Sequence, residues 1–394
     1  MKHFVLISLV CIGVSLPLHA ANVGWLGDGT ATYPDATPPI EWSSSKNVIW
    51  KAPLDRGYSS PVVVDGKWVI VASEPDTVTC IDIATGKPTW STPTPSTELP
   101  KDQQAKVSTH AGEGGNVAAT PVCDGERVYQ VFALGFVVAF DLKTGKRVWT
   151  QAMEAPLPGD GRSCSPVRVG ELVVVHLSQL YGLDAKTGAV RWKQDDAQEG
   201  YGTPRPVKIG ADDVLFLPRG NVVRVSDGKV LTSLDASLMY TSPSLALAEK
   251  KIGYVGSSVS ILELPETLSD PLKIKEYWAE STDGPEGYPT ALYHDGLFYA
   301  LSNSGMMTIF DVKNKTKTQK QLELEEPVYQ SPVRAGKYIF VGNNKGKVLV
   351  LEPGKDPKVL KTNELDSASG ATPAFSGKYI FLRSMDALYC IGEK

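Results

Sequence analysis

Cysteine, histidine and excess basic charge are all scarce in this chain, and each scarcity argues against a class of function. The 394 residues include five cysteines and five histidines. No two cysteines are adjacent, and the motifs Cys-x-x-Cys-His, Gly-x-Ser-x-Gly, His-Glu-x-x-His and the Gly-rich phosphate loop are missing. Attached haem, a hydrolase nucleophile elbow, a zinc-hydrolase centre and phosphate-loop binding therefore have no basis in the sequence. With 40 Lys and Arg against 44 Asp and Glu, the formal charge of −4 offers no basic field for nucleic acid.

Long apolar runs are also missing, except at the N-terminus. Lys2 and His3 precede an apolar run from Phe4 to Leu16, and a small residue, Ala20, follows shortly after it. This pattern predicts a secretory signal peptide over residues 1–20, cleaved near Ala20. The run is shorter than the ~20 residues that a membrane span needs. We therefore expect a periplasmic or secreted protein without a transmembrane segment.

One short stretch recurs along the chain. Residues 80–90, 139–149 and 182–192 each contain an Asp-x-x-Thr-Gly turn and end in Trp. Apolar and β-branched residues flank each turn, which is typical of a β-hairpin. A hairpin that is copied in this way marks a repeat unit.

Each predicted unit opens with a small or hydroxyl residue, usually followed by Pro, and then a Val-rich strand. Eight such openings follow one another: Ser60-Pro61, Thr120-Pro121, Ser165-Pro166, Thr203-Pro204, Ser242-Pro243, Thr290-Ala291, Ser331-Pro332 and Thr372-Pro373. A period of about 40 residues with four short strands per unit is typical of a propeller blade.

The repeat predicts an all-β fold, an eight-bladed β-propeller of four-stranded antiparallel blades over residues 46–394. Residues 21–45 are rich in Gly, Thr, Pro and Asp and predict an extended N-terminal arm. The last blade ends near Ile391 without a fourth strand. We expect Val48-Ile49-Trp50 to supply it, because a ring that does not pair its first and last strands leaves an exposed edge.

The pattern Ala-x-Asp-x-x-Thr-Gly-x-x-x-Trp resembles the tryptophan-docking repeat of the pyrroloquinoline-quinone (PQQ)-like β-propellers, over about residues 41–394. The positions that carry the resemblance are Trp50, Trp90, Trp149 and Trp192. A large flat indole fits only against a small residue, so we expect each to pack on the motif's small first position in a neighbouring blade. That position holds Cys80, Ala139, Gly182 or Cys390.

The resemblance implies two alternative functions. The superfamily includes PQQ- and calcium-dependent dehydrogenases of alcohols or sugars, and non-enzymatic relatives such as the BamB-like lipoprotein of the outer-membrane assembly machinery. The dehydrogenases carry adjacent cysteines and a Glu, Asn and Asp set around calcium, and no matching motif occurs here. We therefore predict no catalytic residue, metal or cofactor, and keep the quinoprotein as the alternative. The chain also departs from the BamB-like pattern, because it lacks a lipid-attachment cysteine.

The cysteines left after export are too few for a disulfide framework. We expect Cys80 and Cys390 to be buried as small apolar residues. Cys123 and Cys164 flank the openings of adjacent blades. A disulfide between them stays open, because neighbouring inner strands can hold the Cα atoms beyond the ~7 Å bridging limit.

Aligning the openings reveals a set of tyrosines. Five stand three residues before the Pro position: Tyr58, Tyr201, Tyr240, Tyr288 and Tyr329. We expect them around the channel mouth, where Tyr either packs between blades or forms an amphipathic platform for a peptide or sugar. The Asp-Thr-Gly turns of the blades are expected on the opposite face of the propeller.

Polar residues from other loops are expected at the same mouth. The insertion 91–117 contains His110, Glu113 and Asn116, which can converge on a metal or ligand or belong to a solvated loop. Arg162, Arg219 and Arg383 are expected on this face as solvated residues or as selectors for an anion. His176 alternates with Val174 on a predicted strand, which indicates a structural role.

These observations favour an exported, monomeric, non-enzymatic binding or scaffold protein. Its expected partner is an envelope protein or extended peptide, with carbohydrate as a further ligand class. Outer-membrane protein assembly is one setting that the resemblance implies. The mouth face and exposed blade edges are the expected docking surfaces.

Overall fold

The computed structural model describes residues 22–112, 114–153, 164–197, 201–234, 244–255, 258–281, 287–325 and 327–393. The predicted signal peptide lies outside these residues. In the described part of the chain, the strands form eight sheets arranged as propeller blades, and the strands within each blade are antiparallel. The predicted eight-bladed β-propeller is thus confirmed.

Strand β1 (Thr32–Tyr33) belongs to the N-terminal arm, and β2 (Val48–Pro53) follows it. The first four blades hold, from the inner to the outer strand, β3 (Val62–Val64), β4 (Trp68–Ser73), β5 (Thr77–Asp82) and β6 (Pro88–Pro93); β7 (Val122–Cys123), β8 (Arg127–Phe132), β9 (Phe136–Asp141) and β10 (Arg147–Ala152); β11 (Val167–Val169), β12 (Leu172–His176), β13 (Leu180–Asp184) and β14 (Val190–Gln194); β15 (Arg205–Ile209), β16 (Asp212–Phe216), β17 (Asn221–Arg224) and β18 (Val230–Ser233). A 3₁₀ turn (Ser96–Glu98) and the short helix α1 (Lys101–Gln104) follow β6.

Blades five to seven continue the same meander, with β19 (Ala246–Ala248), β20 (Lys251–Val255), β21 (Ser258–Glu263) and β22 (Lys275–Ser281); β23 (Leu292–His294), β24 (Leu297–Leu301), β25 (Met306–Asp311) and β26 (Thr316–Gln321); β27 (Val333–Ala335), β28 (Tyr338–Gly342), β29 (Lys347–Glu352) and β30 (Lys358–Glu364). Blade eight holds β31 (Ala374–Ser376), β32 (Tyr379–Arg383) and β33 (Ala387–Ile391).

Blade eight is completed by β2 from the other end of the chain. This strand pairs antiparallel with β33, and Trp50 lies opposite Cys390. The sheet order is β2-β33-β32-β31. The predicted closure by residues 48–50 is correct, and the strand extends to Pro53.

The core lies between the blades because the central strands of each blade are apolar on both faces. In blade two, Val128 and Phe140 pack toward blade one, whereas Tyr129 and Val137 pack toward blade three. Neighbouring side chains on a strand point to opposite faces, so a run of apolar residues serves two interfaces. The central strands therefore read as continuous Val, Ile and Phe stretches.

The outer-strand tryptophans join consecutive blades through one recurring contact. The indole N–H of Trp90 donates to Leu142 O at 2.8 Å, and that of Trp149 donates to Ala185 O at 3.0 Å. Trp50 and Trp192 make the same bond to Ile83 O and Val225 O, both at 2.8 Å. Each acceptor lies in the turn between the third and outer strands of the following blade.

The residues that pack against each indole differ from one expectation, which placed the small first residue of the motif in the neighbouring blade. Cys80 and Ala139 lie opposite Trp90 and Trp149 within the same blade, as cross-strand partners. The neighbouring blade instead presents the glycine of its turn, and a Cβ built on Gly145 would lie 2.5 Å from Trp90. Glycine is required in this turn for two reasons. Its φ of +68° is unfavourable for other residues, and the flat indole leaves no room for a side chain.

The N-terminal arm lies across the inner strands. Val23 and Cys123 exchange backbone hydrogen bonds, β1 pairs parallel with β27, and Thr37 N–H donates to Gly377 O at 2.8 Å. These contacts lie at the C-terminal ends of inner strands or in the turns that follow them. Because the blade strands alternate in direction, these positions share a face with the Asp-Thr-Gly turns. The described arm, residues 22–45, therefore lies across the channel end opposite the strand openings.

Candidate functional site

A closed ring of hydrogen bonds surrounds the channel at the strand openings. In every blade, the backbone N–H of the opening residue donates to the hydroxyl of the opening residue in the next blade, at 2.7–3.2 Å. The members of this hydroxyl ring are Ser60, Thr120, Ser165, Thr203, Ser244, Thr290, Ser331 and Thr372. A hydroxyl at each opening is thus required by a bond between blades.

The ring changes the predicted register of blade five. Thr203 N–H donates to Ser244 Oγ at 2.7 Å, and Ser244 N–H donates to Thr290 Oγ1 at 2.8 Å. Strand β19 begins two residues after Ser244, as β3 begins two residues after Ser60. The opening of this blade is therefore Ser244 rather than the predicted Ser242-Pro243, which lies outside the described residues. Tyr58 stands two residues before Ser60, whereas Tyr240 stands four residues before Ser244, so the two tyrosines do not occupy equivalent positions.

The hydroxyl ring borders a cavity of about 690 Å³ at the channel mouth. All eight ring residues line this cavity, together with loop residues such as Gly114, Ala118 and Ser369. Trp25 of the arm lines it as well. Because the arm lies at the channel end opposite the strand openings, Trp25 borders the cavity from that end.

Tyrosines from four blades line the same cavity. They are Tyr58, Tyr201, Tyr288 and Tyr329, while Tyr240 lies outside the described residues. The rings of Tyr288 and Tyr329 are 4.9 Å apart between centroids. Burial raises the pKa of Tyr329, and the nearby Tyr288 and Tyr58 raise it further. Three tyrosines thus gather on one side of the mouth, with Tyr201 on another blade.

The tyrosine side chains stay accessible. Tyr201, Tyr288 and Tyr329 are 38%, 41% and 46% exposed. The hydroxyl of Tyr58 accepts a hydrogen bond from Arg56 at 2.7 Å, so its own hydrogen is available to a ligand. Phenol rings exposed to this extent offer apolar area and a polar group together.

The insertion 91–117 does not form the expected cluster. Asn116 is buried, its Oδ1 accepts from Leu134 N–H at 2.8 Å, and its Nδ2 donates to Asp76. His110 is exposed and does not line the cavity, and Glu113 lies outside the described residues. The hypothesis of a convergent site is wrong for Asn116, because its amide holds blades one and two together. Within the described ranges, no group of three or more His, Cys, Asp or Glu is placed to hold a metal ion.

The arginines also differ from expectation. Arg162 lies outside the described residues, and Arg219 is exposed. Arg383 is 2% exposed, and it donates to Gly57 O at 2.9 Å and Ser73 Oγ at 2.9 Å. Burial lowers its pKa to about 10. Arg383 is therefore a buried link between blades eight and one rather than a solvated loop residue.

The four cysteines of the described residues, Cys80, Cys123, Cys164 and Cys390, are buried. Burial raises the pKa of Cys123 to about 12 and that of Cys80 to about 11. Cys80 and Cys390 are fully buried, as expected for small apolar residues.

Comparison with known proteins defines the class to which this architecture belongs. A model of the family described as outer membrane protein assembly factor BamB matches residues 43–204 and 133–238. Together with the eight-bladed fold, this match identifies the chain as a PQQ-like β-propeller.

The similar proteins include an assembly factor and an enzyme. A protein named outer membrane protein assembly factor BamB, from Alkalilimnicola ehrlichii, is 29% identical over 161 residues, which are 41% of this chain and 38% of that protein. The match thus spans well under half of the relative's length. The solved structure of BamB from Moraxella catarrhalis superposes with a TM-score of 0.64 at 14% identity, covering 88% of this chain and 97% of that one. A europium-containing methanol dehydrogenase superposes with a TM-score of 0.63 at 14% identity, covering 91% and 88%. At these identities the two superpositions show the fold alone.

A solved quinohemoprotein alcohol dehydrogenase shares this fold, so the fit of PQQ and calcium to the mouth cavity bears on the function. Calcium takes carboxylate and carbonyl oxygens, and the carboxylates of PQQ need cationic partners. The described residues that line the cavity include no Asp, Glu, Lys, Arg or His. Among the described residues, the lining therefore supplies neither a side-chain carboxylate for calcium nor a cation for the carboxylates of PQQ.

Proposed function

We propose that this chain is an exported binding and scaffold protein of the cell envelope, and that a protein partner docks across its channel mouth. One observation carries the proposal: tyrosines about two-fifths exposed border an open cavity on one face, while the N-terminal arm lies across the other. Tyrosine is enriched at protein interfaces because it contributes large area at a small cost in conformational entropy.

The relatives support the setting. Two of the proteins described above carry the name BamB, and the matching family model is described as an outer membrane protein assembly factor. We infer that this chain also acts in envelope protein assembly, as a monomer that holds a partner protein or an extended peptide. Export after cleavage near Ala20 belongs to this proposal, and N-terminal sequencing of the mature protein tests it. Among the described residues, no helix is long and apolar enough to cross a membrane.

We also propose that the chain works without PQQ and calcium. The described lining supports this view over the quinoprotein alternative, because it supplies neither a side-chain carboxylate for calcium nor a cation for the carboxylates of PQQ. Calorimetry with PQQ and calcium, combined with dye-linked alcohol oxidation, separates the two functions. Alcohol-dependent turnover would establish the quinoprotein.

Site-specific crosslinking tests the docking face. A photoreactive amino acid replaces Tyr329 at the mouth, or Tyr277 on the outer strand of blade five as the control, and the protein is irradiated with an envelope fraction. We expect one envelope protein to crosslink from position 329 and not from position 277. The variant Tyr201→Ala/Tyr288→Ala, with the crosslinker kept at 329, should lose this product, whereas Lys250→Ala should keep it.

Two results contradict the proposal. Equal crosslinking from positions 277 and 329 would place the partner elsewhere on the propeller. Unchanged crosslinking in the double tyrosine variant would show that these rings do not bind the partner.

A further inference from the structure

The hydroxyl ring has hydrogen-bonding capacity that its structural role does not use. Each hydroxyl oxygen accepts one backbone N–H, which occupies one of its two lone pairs. Among the described residues, we find no bond in which a ring hydroxyl donates its own hydrogen to another residue. Ser165 and Ser331 are only 2% and 3% exposed, and buried hydroxyls normally have a partner for their hydrogen.

The ring residues border one space. All eight line the mouth cavity, so every blade contributes one hydroxyl-bearing residue to its wall. Each hydroxyl can still donate one hydrogen bond and accept one more. A ligand that matches this array both donates and accepts around its whole perimeter.

Charge narrows the class of ligand. The described cavity lining has no charged side chain, and a buried ion without a counter-charge is costly. Trp25 and the tyrosines add aromatic surface, against which an apolar face of the ligand can pack. The cavity volume of about 690 Å³ lies in the range of small-molecule sites, roughly 300–1,000 Å³.

We propose that the mouth cavity binds a neutral saccharide, with the hydroxyl ring bonding the sugar hydroxyls and Trp25 packing against the sugar from below. A sugar carries hydroxyls around its rim and C–H groups on its faces, which is the complement of this lining. The inference goes beyond the proposed protein docking, and either can fail without the other, because saccharide binding needs no protein partner.

The test is calorimetry on the full exported protein with maltose, cellobiose, lactose and chitobiose, and with glycerol as a small polyol control. We expect at least one disaccharide to bind with a Kd below about 5 mM, and glycerol not to bind. Absence of binding by all four sugars at roughly 20 mM overturns the proposal.

Variants then locate the bound sugar. Thr120→Val/Thr290→Val removes hydroxyls from blades two and six while keeping the side-chain shape, and should weaken binding at least about tenfold. Because this variant also breaks ring bonds, Trp25→Ala provides a second test that leaves the ring intact and should weaken binding too. The matched control Trp68→Ala, outside the cavity, should bind like the parent protein. Unchanged affinity in Trp25→Ala, with a native circular dichroism spectrum, places the sugar elsewhere and overturns the proposal.

Discussion

The backbone N–H of Thr372 donates to the hydroxyl of Ser60 at 3.1 Å, across 312 residues of sequence. This bond joins the last blade to the first at the inner strands, as the pairing of β2 with β33 joins the chain ends at the outer strand. The propeller is thus closed twice, at its smallest and its largest radius. Closure at the inner strands also fixes the diameter of the mouth cavity.

Ser60→Ala should destabilise the protein by about 1–3 kcal/mol, because Thr372 N–H loses its acceptor at a buried position. Urea unfolding of the two proteins measures the difference. Thr372→Ser keeps a hydroxyl for Ser331 N–H and should cost less, and the exposed Ser44→Ala should change nothing. A Ser60→Ala protein as stable as the parent would show that water replaces the bond.

Gly145→Ala should destabilise the protein by more than the backbone cost alone. Gly145 has a φ of +68°, and its added Cβ would lie 2.5 Å from the Trp90 ring, so the indole must move. Gly296→Ala is the matched control, since its φ is +78° and no atom lies within 4 Å of the added Cβ. The control isolates the left-handed backbone penalty of about 1–2 kcal/mol. Equal losses of unfolding free energy in the two variants would mean that the indole contact contributes nothing.

The blade architecture could be predicted from the sequence because it is repeated. The openings, the Asp-Thr-Gly turns and Trp90 recur at a fixed spacing, so each copy supports the assignment of the others. Even Tyr288 and Tyr329 were placed at the mouth by their offset from the openings. The error in blade five arose because Ser242-Pro243 copies the Ser-Pro pair of other openings, whereas the ring bond is made by Ser244.

Features that occur once could not be predicted in this way. Trp25 enters the cavity from an arm without repeats, so no second copy shows its place. Asn116 was predicted as a candidate ligand because its actual partners, Asp76 and Leu134, lie elsewhere in the sequence. Arg383 looked solvated because its acceptors, such as Gly57 O, are more than 300 residues away. Long-range polar contacts of this kind leave no local pattern.

Folding stability should fall below pH 6.5 because of His176. This side chain is 1% exposed, and burial lowers its pKa from 6.5 to about 4. Above pH 6.5 the imidazole is neutral in both the folded and the unfolded state. The stability that depends on the neutral ring is therefore fully present there. Between pH 6.5 and 4 the unfolded chain binds a proton that the folded chain does not, so unfolding becomes easier as pH falls, by roughly 3 kcal/mol in total.

The variant His176→Gln should lack this component. Unfolding free energies at pH 7, 5.5 and 4.5 should fall less steeply for it than for the parent protein, whereas the exposed His110→Gln should follow the parent. Parallel curves for the parent and His176→Gln would show that His176 does not titrate during unfolding.

The thiols should be unreactive in the folded protein and fully reactive after unfolding. Thiol reagents attack the thiolate, and burial both raises the pKa of Cys123 and Cys390 to about 12 and blocks access. We expect Ellman's reagent at about pH 8 to detect less than one thiol in the folded protein. In about 6 M guanidinium without reductant, Cys80, Cys123, Cys164 and Cys390 should all react. If only two react, Cys123 and Cys164 are joined in the exported protein, and the inner strands of blades two and three approach more closely there than the structure shows. Rapid labelling of the folded protein would instead mean that the interfaces between blades open far more readily than their packing implies.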